Sequence, residues 1–148
     1  MDLPISEVEI LLVEDSPRDA ELTLRALRKH NLANKVVHVK DGQEALDWLF
    51  GAGAHAGRDP SQHPRVVLLD LKLPKVDGLE VLRTIRADAR TQSLPVVVLS
   101  SSREEADLVR AYDLGVNSYI VKLVDFKKFS EAVAEAGHYW LLVNQPAH

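Results

Sequence analysis

Four short apolar runs along the chain each end at a polar residue. They are Ile10–Val13 before Glu14 and Asp15, Val66–Leu69 before Asp70, residues 96–99 before Ser100, and residues 119–121 before Lys122. Because none of these runs alternates with polar residues, they are typical of strands buried on both faces of a parallel sheet. Residues at the carboxyl ends of such strands lie together at one edge of the sheet. The pattern therefore predicts one site with three carboxylates, one hydroxyl and one ammonium.

Helical segments alternate with the apolar runs, which predicts an α/β doubly wound domain with a five-stranded parallel sheet. Ser16 and Pro17 are residue types favoured at the N-cap and first position of a helix, so a first helix should run from there to about His30. Val36–Val39 predicts the remaining strand. The alternation continues to the end of the chain.

Sequence signals also mark the later helices. Asp41 and Glu44 predict a capping box that opens a helix through Phe50. The remaining signals are a third helix around residues 79–85, a fourth over residues 103–114 that ends at Gly115, and a long last helix capped by Asp125. Between the second helix and the third strand, residues 51–65 hold three glycines, two prolines and two histidines, which is typical of a surface loop. This loop suits either a tolerated insertion or a partner-docking segment.

Length, charge and composition limit the classes of protein. With 148 residues, the chain is expected to be one domain, 1–148, with its core over about residues 9–142 and no output domain. The absence of cysteine and of a basic, hydrophobic N-terminal segment favours a cytoplasmic protein without a membrane span. A net charge of −4 disfavours nucleic-acid binding, which needs a clustered basic face.

The predicted acid cluster needs a cation, because three carboxylates and one lysine sum to about −2 at neutral pH. Mg²⁺ is favoured, since hard oxygen ligands suit it and it commonly uses only one or two carboxylates. Zinc is disfavoured because none of the six histidines falls at the end of a predicted strand. A carboxylate beside a divalent cation and a lysine can act as a nucleophile toward phosphorus, and Asp70 is the expected acceptor.

These residues resemble the receiver domain of two-component response regulators. The resemblance covers about residues 9–142, and the spacings match that family: 30 residues from Asp70 to Ser100 and 22 from Ser100 to Lys122. It implies a flavodoxin-like fold with strand order 2-1-3-4-5 and a switch rather than an enzyme. The implied roles are Glu14 and Asp15 as the acidic pair, Asp70 as phosphoacceptor, Ser100 as switch hydroxyl, Tyr119 as switch aromatic, and Lys122 as the family's phosphoryl-binding lysine.

The same resemblance implies the ligands and partners of the site. Mg²⁺ would be held by Glu14, Asp15, Asp70 and the backbone carbonyl of Lys72, and a sensor histidine kinase would supply the phosphoryl group. The long segment after the second helix and the ending at residues 139–141 resemble the small regulators paired with bacterial and cyanobacterial phytochromes. A phytochrome kinase is therefore the expected partner. Tyr119 is also compatible with a plain core residue.

The sequence departs from the family pattern in two respects. Leu123 follows Lys122 where the family usually has proline after a cis peptide, which leaves both the trans and the cis form open. Lys72 and Ser102, each two residues beyond a site residue, flank the expected phosphoryl group and would affect the access of hydrolytic water. The rate of autodephosphorylation therefore stays open.

Other functions fit the sequence less well. An aspartyl phosphatase would need an acid where Lys72 stands, and a flavin site would need a phosphate-binding loop where Glu14 and Asp15 stand. No GxxxxGK motif for nucleotide hydrolysis is present. The remaining alternative is a pseudo-receiver that is not phosphorylated and acts as a structural interaction module.

The last helix carries an apolar stripe that is expected to extend beyond the domain. Its members recur at three- and four-residue steps: Phe126, Phe129, Val133, Ala136, Trp140 and Val143. The early members are expected to pack on the sheet, whereas the end of a helix this long would project. The stripe therefore predicts a homodimer through the C-terminal helix region, with folding of Trp140 back onto its own domain as the alternative.

Overall fold

The computed structural model describes residues 9–31, 35–101, 105–122 and 126–137. The strands are β1 (Ile10–Val13), β2 (Val36–Val39), β3 (Val66–Leu69), β4 (Val96–Ser100) and β5 (Ser118–Val121). The helices are α1 (Pro17–Lys29), α2 (Gly42–Phe50), α3 (Gly78–Ala87), α4 (Glu105–Asp113) and α5 (Phe126–Gly137). All neighbouring strands pair in parallel in the order β2-β1-β3-β4-β5, which confirms the predicted fold class.

The sheet separates two hydrophobic cores. Alternate side chains of each strand point to opposite faces, so Leu11 and Val13 pack with α2, α3 and α4, whereas Ile10 and Leu12 pack with α1 and α5. On the second face, Phe129 and Val133 are buried, as the apolar stripe of the last helix predicts. Burial of both faces explains why the central strands are apolar up to Ser100, the last residue of β4.

The expectation of burial on both faces is wrong for β5. Its four residues are only half-buried, because β5 lies at the edge of the sheet and pairs with β4 alone. Every residue of β1, β3 and β4 is buried. An apolar run therefore identified this strand but not its position in the sheet.

The predicted starts of α1 and α2 and the predicted end of α4 are confirmed. The Ser16 hydroxyl accepts a hydrogen bond from the amide of Asp19 at 3.2 Å, and Asp41 Oδ1 accepts one from the Glu44 amide at 2.7 Å. Gly115, after α4, has a φ of 83°, which a helix C-terminus commonly requires. The capping box differs in one respect: the Glu44 carboxylate accepts from the amide of Lys40 rather than from that of Asp41.

The segment 51–65 is more ordered than its composition predicts. It contains a 3₁₀ turn at Gly53–His55, and the Arg58 guanidinium lies 3.5 Å from the centre of the Trp48 ring and donates to the Trp48 carbonyl. This contact ties the loop to α2. In the part of the chain that the structure describes, every helix is too short or too polar to cross a lipid bilayer.

Several sequence predictions fall on residues outside the described segments. They are the first turn of the fourth helix at Arg103, the Asp125 cap, Ser102, the Lys122–Leu123 peptide, and the end of the apolar stripe at Trp140 and Val143. Each of these stays a prediction.

Candidate functional site

The acidic cluster forms where β1 and β3 end side by side. Val13 and Leu69 are paired in the parallel register, so Glu14 and Asp70, the next residues, leave the sheet together. With Asp15 they place three carboxylate oxygens within 4.8 Å of one another, Glu14 and Asp70 being buried and Asp15 exposed. Gly78 allows α3 to begin against this point, since a Cβ there would lie 2.4 Å from the Asp70 carbonyl oxygen.

Lys122 joins this cluster from the far edge of the sheet. Its amide donates to the carbonyl of Ser100 at 2.8 Å, which fixes the end of β5 beside the end of β4. Its ammonium lies 2.5 Å from Glu14 Oε1, 3.0 Å from Asp19 Oδ2 and 3.1 Å from Asp70 Oδ2. The structure thus brings together the three acids and the lysine that the sequence pattern singles out.

Asp19 is a member of this cluster that the sequence analysis missed. It lies in the first turn of α1, four residues after Asp15, and its carboxylate is one of the three that contact Lys122. With Asp19 included, four ionised carboxylates and one ammonium carry about −3 rather than the predicted −2. The sequence signal that could have identified Asp19 is its place in the first turn of α1, directly after the acidic end of β1. That turn faces the same edge of the sheet as Glu14 and Asp15.

The crowding of carboxylates changes their protonation. The pKa of Glu14 is raised to about 7, mainly by burial; Lys122 opposes this rise and Asp70 adds to it. Burial by itself lowers the pKa of Lys122, but the hydrogen bond that its ammonium donates to Glu14 and the charge of Asp70 outweigh it, so the pKa of the lysine is raised. The lysine is therefore a permanent cation, and the site as a whole has an excess of negative charge.

The remaining predicted site residues lie on the surrounding elements. Ser100 is fully buried as the last residue of β4, rather than the first residue after it. Tyr119 lies in β5, opposite Val98 of β4. It is half-buried and packs against the hydrophobic core on the side of the sheet that α3 and α4 cover. The amide of Lys72 donates to Asp70 Oδ1 at 3.2 Å, whereas the proposed role of its carbonyl toward a metal stays a prediction.

One histidine contacts the backbone of the site. His38 Nε2 lies 2.8 Å from the carbonyl oxygen of Glu14, because His38 is opposite Leu12 in the register of β2 and β1. This ring contacts a main-chain oxygen and not the carboxylates. Among the described residues, the cluster able to hold a metal ion consists of carboxylates alone.

Comparisons with known proteins agree with this arrangement. The sequence model of the response regulator receiver domain matches residues 10–134. The chain is 45% identical over 132 residues to the probable methanogenesis regulatory protein FilR2 of Methanothrix harundinacea, covering 89% of this chain and 83% of that protein. The match is to nearly the whole length of both proteins.

Solved structures of phytochrome-associated and related regulators are also similar. The phosphorylated cyanobacterial phytochrome response regulator RcpA superposes with a TM-score of 0.86 and 38% identity, covering 96% of this chain and 99% of that one. The bacteriophytochrome response regulator AtBRR gives 0.75 and 56%, covering 93% and 98%. The Mn²⁺-bound form of Rcp1 gives 0.85 and 33%, covering 95% and 99%.

The match to the family sequence over most of the chain, the 2-1-3-4-5 parallel sheet and the acids and lysine at its carboxyl edge lead to one assignment. The chain belongs to the response regulator receiver domain family, and is a phosphoryl-accepting switch of two-component signal transduction, whose members partner with histidine kinases.

Proposed function

We propose that Asp70 accepts the phosphoryl group in this chain. The observation that carries the proposal is the contact between Lys122 Nζ and Asp70 Oδ2, at 3.1 Å, at a buried strand end beside two further acids. A carboxylate oxygen of Asp70 forms a bond to phosphorus as the bond from phosphorus to the donor, a phosphohistidine nitrogen or an acyl oxygen, breaks. The ammonium of Lys122 is placed to pair with a phosphoryl oxygen and to offset its charge.

We propose Mg²⁺ as the metal of this site, held by Glu14, Asp15, Asp70 and the carbonyl of Lys72. The donor set fits, because its carboxylate oxygens lie close together and carry an excess of negative charge. When bound, Mg²⁺ would neutralise charge on the phosphoryl oxygens. The Mn²⁺-bound form of Rcp1, a relative with the same fold, supports the binding of a divalent ion.

Phosphorylation is proposed to change the surface near α4 through Ser100 and Tyr119. Ser100 ends the strand next to β3 and would hydrogen-bond a phosphoryl oxygen, while Tyr119 lies one strand further, against the core under α3 and α4. Moving a two-state protein from 1:99 to 99:1 requires about 5.5 kcal/mol. New charge-assisted hydrogen bonds from Lys122 and Ser100 to the phosphoryl group could supply much of this free energy.

We propose a phytochrome histidine kinase as the partner, because RcpA and AtBRR are named for phytochrome signalling. FilR2 is named for methanogenesis regulation, so the partner test compares phytochrome kinases with other histidine kinases encoded near the gene. Rapid transfer from a phytochrome kinase alone would support the proposal, and transfer only from another kinase would refute it. We further propose that the chain acts in the cytoplasm and as a homodimer.

The phosphoacceptor is tested with acetyl phosphate and Mg²⁺. Wild-type protein should take up one phosphoryl group, and hydride trapping followed by peptide mass spectrometry should locate it at Asp70. Asp70→Asn should abolish the label, whereas Asp77→Asn, a change of an exposed aspartate in the loop before α3, should keep it. Labelling that persists in Asp70→Asn would refute the assignment, and an unlabelled wild-type protein would favour the pseudo-receiver.

A further inference from the structure

The ammonium of Lys122 has three carboxylates around it and three N–H donors. Glu14, Asp19 and Asp70 each offer an oxygen at 2.5–3.1 Å, so one donor is available for each carboxylate. A phosphoryl oxygen that binds Lys122 must therefore replace one of these partners. Asp70 is consumed as the acceptor and Glu14 belongs to the acidic pair, which leaves Asp19 as the partner whose function is unassigned.

The carboxylate of Asp19 is directed to Lys122 by the way that α1 begins. An acid at the third helical position commonly bonds back to the amide of the N-cap residue. Here that amide, of Ser16, is taken by Glu14 Oε2 at 3.2 Å, while the Ser16 hydroxyl holds the amide of Asp19. The buried hydroxyl of Thr23 donates to the carbonyl of Asp19 at 3.0 Å. The amide and the carbonyl of Asp19 are thus both hydrogen-bonded, and its side chain is directed toward Lys122.

We propose that Asp19 is a positioning residue that competes with the phosphoryl group for Lys122 and so slows the phosphorylation of Asp70. The inference rests on the proposed function of Asp70. The effect acts through the lysine: Asp19 occupies one N–H donor of Lys122 that a phosphoryl oxygen would otherwise accept from. Neutralising Asp19 should therefore make phosphorylation faster.

The expected increase in phosphorylation rate follows from the solvent exposure of the Asp19–Lys122 ion pair. The Asp19 side chain is 35% exposed and that of Lys122 is 13% exposed, so water partly screens their attraction. An ion pair of this kind is worth up to about 1 kcal/mol, which corresponds to roughly fivefold in rate. Asp19→Asn keeps an oxygen that accepts from Lys122 but removes the charge, so it isolates the competition from the loss of packing.

The experiment measures the second-order rate constant for phosphorylation by acetyl phosphate at saturating Mg²⁺, followed by intact-protein mass spectrometry. Asp19→Asn is compared with Glu21→Gln, which removes the same charge from an exposed residue of the same helix. Asp19→Glu keeps the charge and should restore a rate near that of wild type. Because Asp19 acts through Lys122, Asp19→Asn in a Lys122→Met background should have no larger effect than Glu21→Gln.

The expected result is a roughly fivefold higher rate constant for Asp19→Asn and no change beyond twofold for Glu21→Gln. A rate for Asp19→Asn equal to or below that of Glu21→Gln, or an acceleration that persists without Lys122, would overturn the inference. If Asp19→Asn does not fold, Asp19→Ala serves in its place with the same criterion. An unlabelled wild-type protein would instead refute the proposed function, so the two failures are distinguishable.

Discussion

Arg86 links three segments of the chain by hydrogen bonds, and its substitution should destabilise the fold. It lies in the last turn of α3, and its acceptors among the described residues are neutral: the carbonyls of Gln92, Leu94 and Gly115, and Oδ1 of Asn117. Asn117 Oδ1 also accepts from the amide of Val96, at the start of β4. One side chain thus links α3, the segment before β4 and the loop that leads into β5.

The free-energy change for Arg86→Ala follows from the two shortest bonds. They join Nη1 to the buried Leu94 carbonyl and Nη2 to the exposed Gly115 carbonyl, each at 2.7 Å. A hydrogen bond from a charged donor contributes about 1.5–3 kcal/mol, and water can replace the bond to Gly115 but not the one to Leu94. We therefore expect a loss of about 3 kcal/mol, which at a urea m-value of about 2 kcal/mol/M lowers the midpoint by about 1.5 M.

Equilibrium urea unfolding, followed by circular dichroism, tests this expectation. Arg83→Ala is the matched control, because Arg83 is on the same helix but exposed and paired only with Glu80 three residues away. Its removal should change the free energy of unfolding by less than about 0.5 kcal/mol. Arg86→Lys keeps the charge but has one donor group in place of the guanidinium fork, so it should recover less than half of the loss. Equal midpoints for Arg86→Ala and Arg83→Ala would refute the reasoning.

Three further predictions concern the site and the C-terminal helix. The pKa of Glu14 is about 7 in the folded protein against 4.5 ordinarily, so protonation of Glu14 stabilises the metal-free fold. In EDTA, the free energy of unfolding should therefore fall as the pH rises from about 5 to about 8. Glu14→Gln should make this dependence on pH weaker. Asp15→Asn should weaken Mg²⁺ binding roughly tenfold or more in calorimetric titrations, because a charge near the ion is lost, whereas equal weakening by His63→Ala would contradict the carboxylate site. Trp140→Ala combined with Leu142→Ser should convert a dimer to a monomer in sedimentation equilibrium while Asp70 is still phosphorylated; a wild-type protein that sediments as a monomer in both phosphorylation states would exclude the dimer.

The sequence by itself determined the strands, their parallel arrangement and four members of the acidic site. This was possible because an apolar run without alternation and the polar residue that ends it are local features. In a parallel sheet all such ends lie at one edge, so Glu14, Asp15, Asp70 and Lys122 had to be neighbours once the fold class was known. Ser16 and Asp41 likewise identified helix starts, since a cap bonds to an amide three residues away.

Only the tertiary structure decided which partners Lys122 and Arg86 have. The contact of Lys122 with Asp19 joins residues 103 positions apart, and those of Arg86 with Gly115 and Asn117 join residues about 30 apart. Such contacts depend on how α1 and α3 are placed against the sheet. The half-burial of β5 has the same origin, because position at the edge is a property of strand order and not of the apolar run itself. Long polar side chains reach partners that no local spacing specifies, and the packing of the helices selects among those partners.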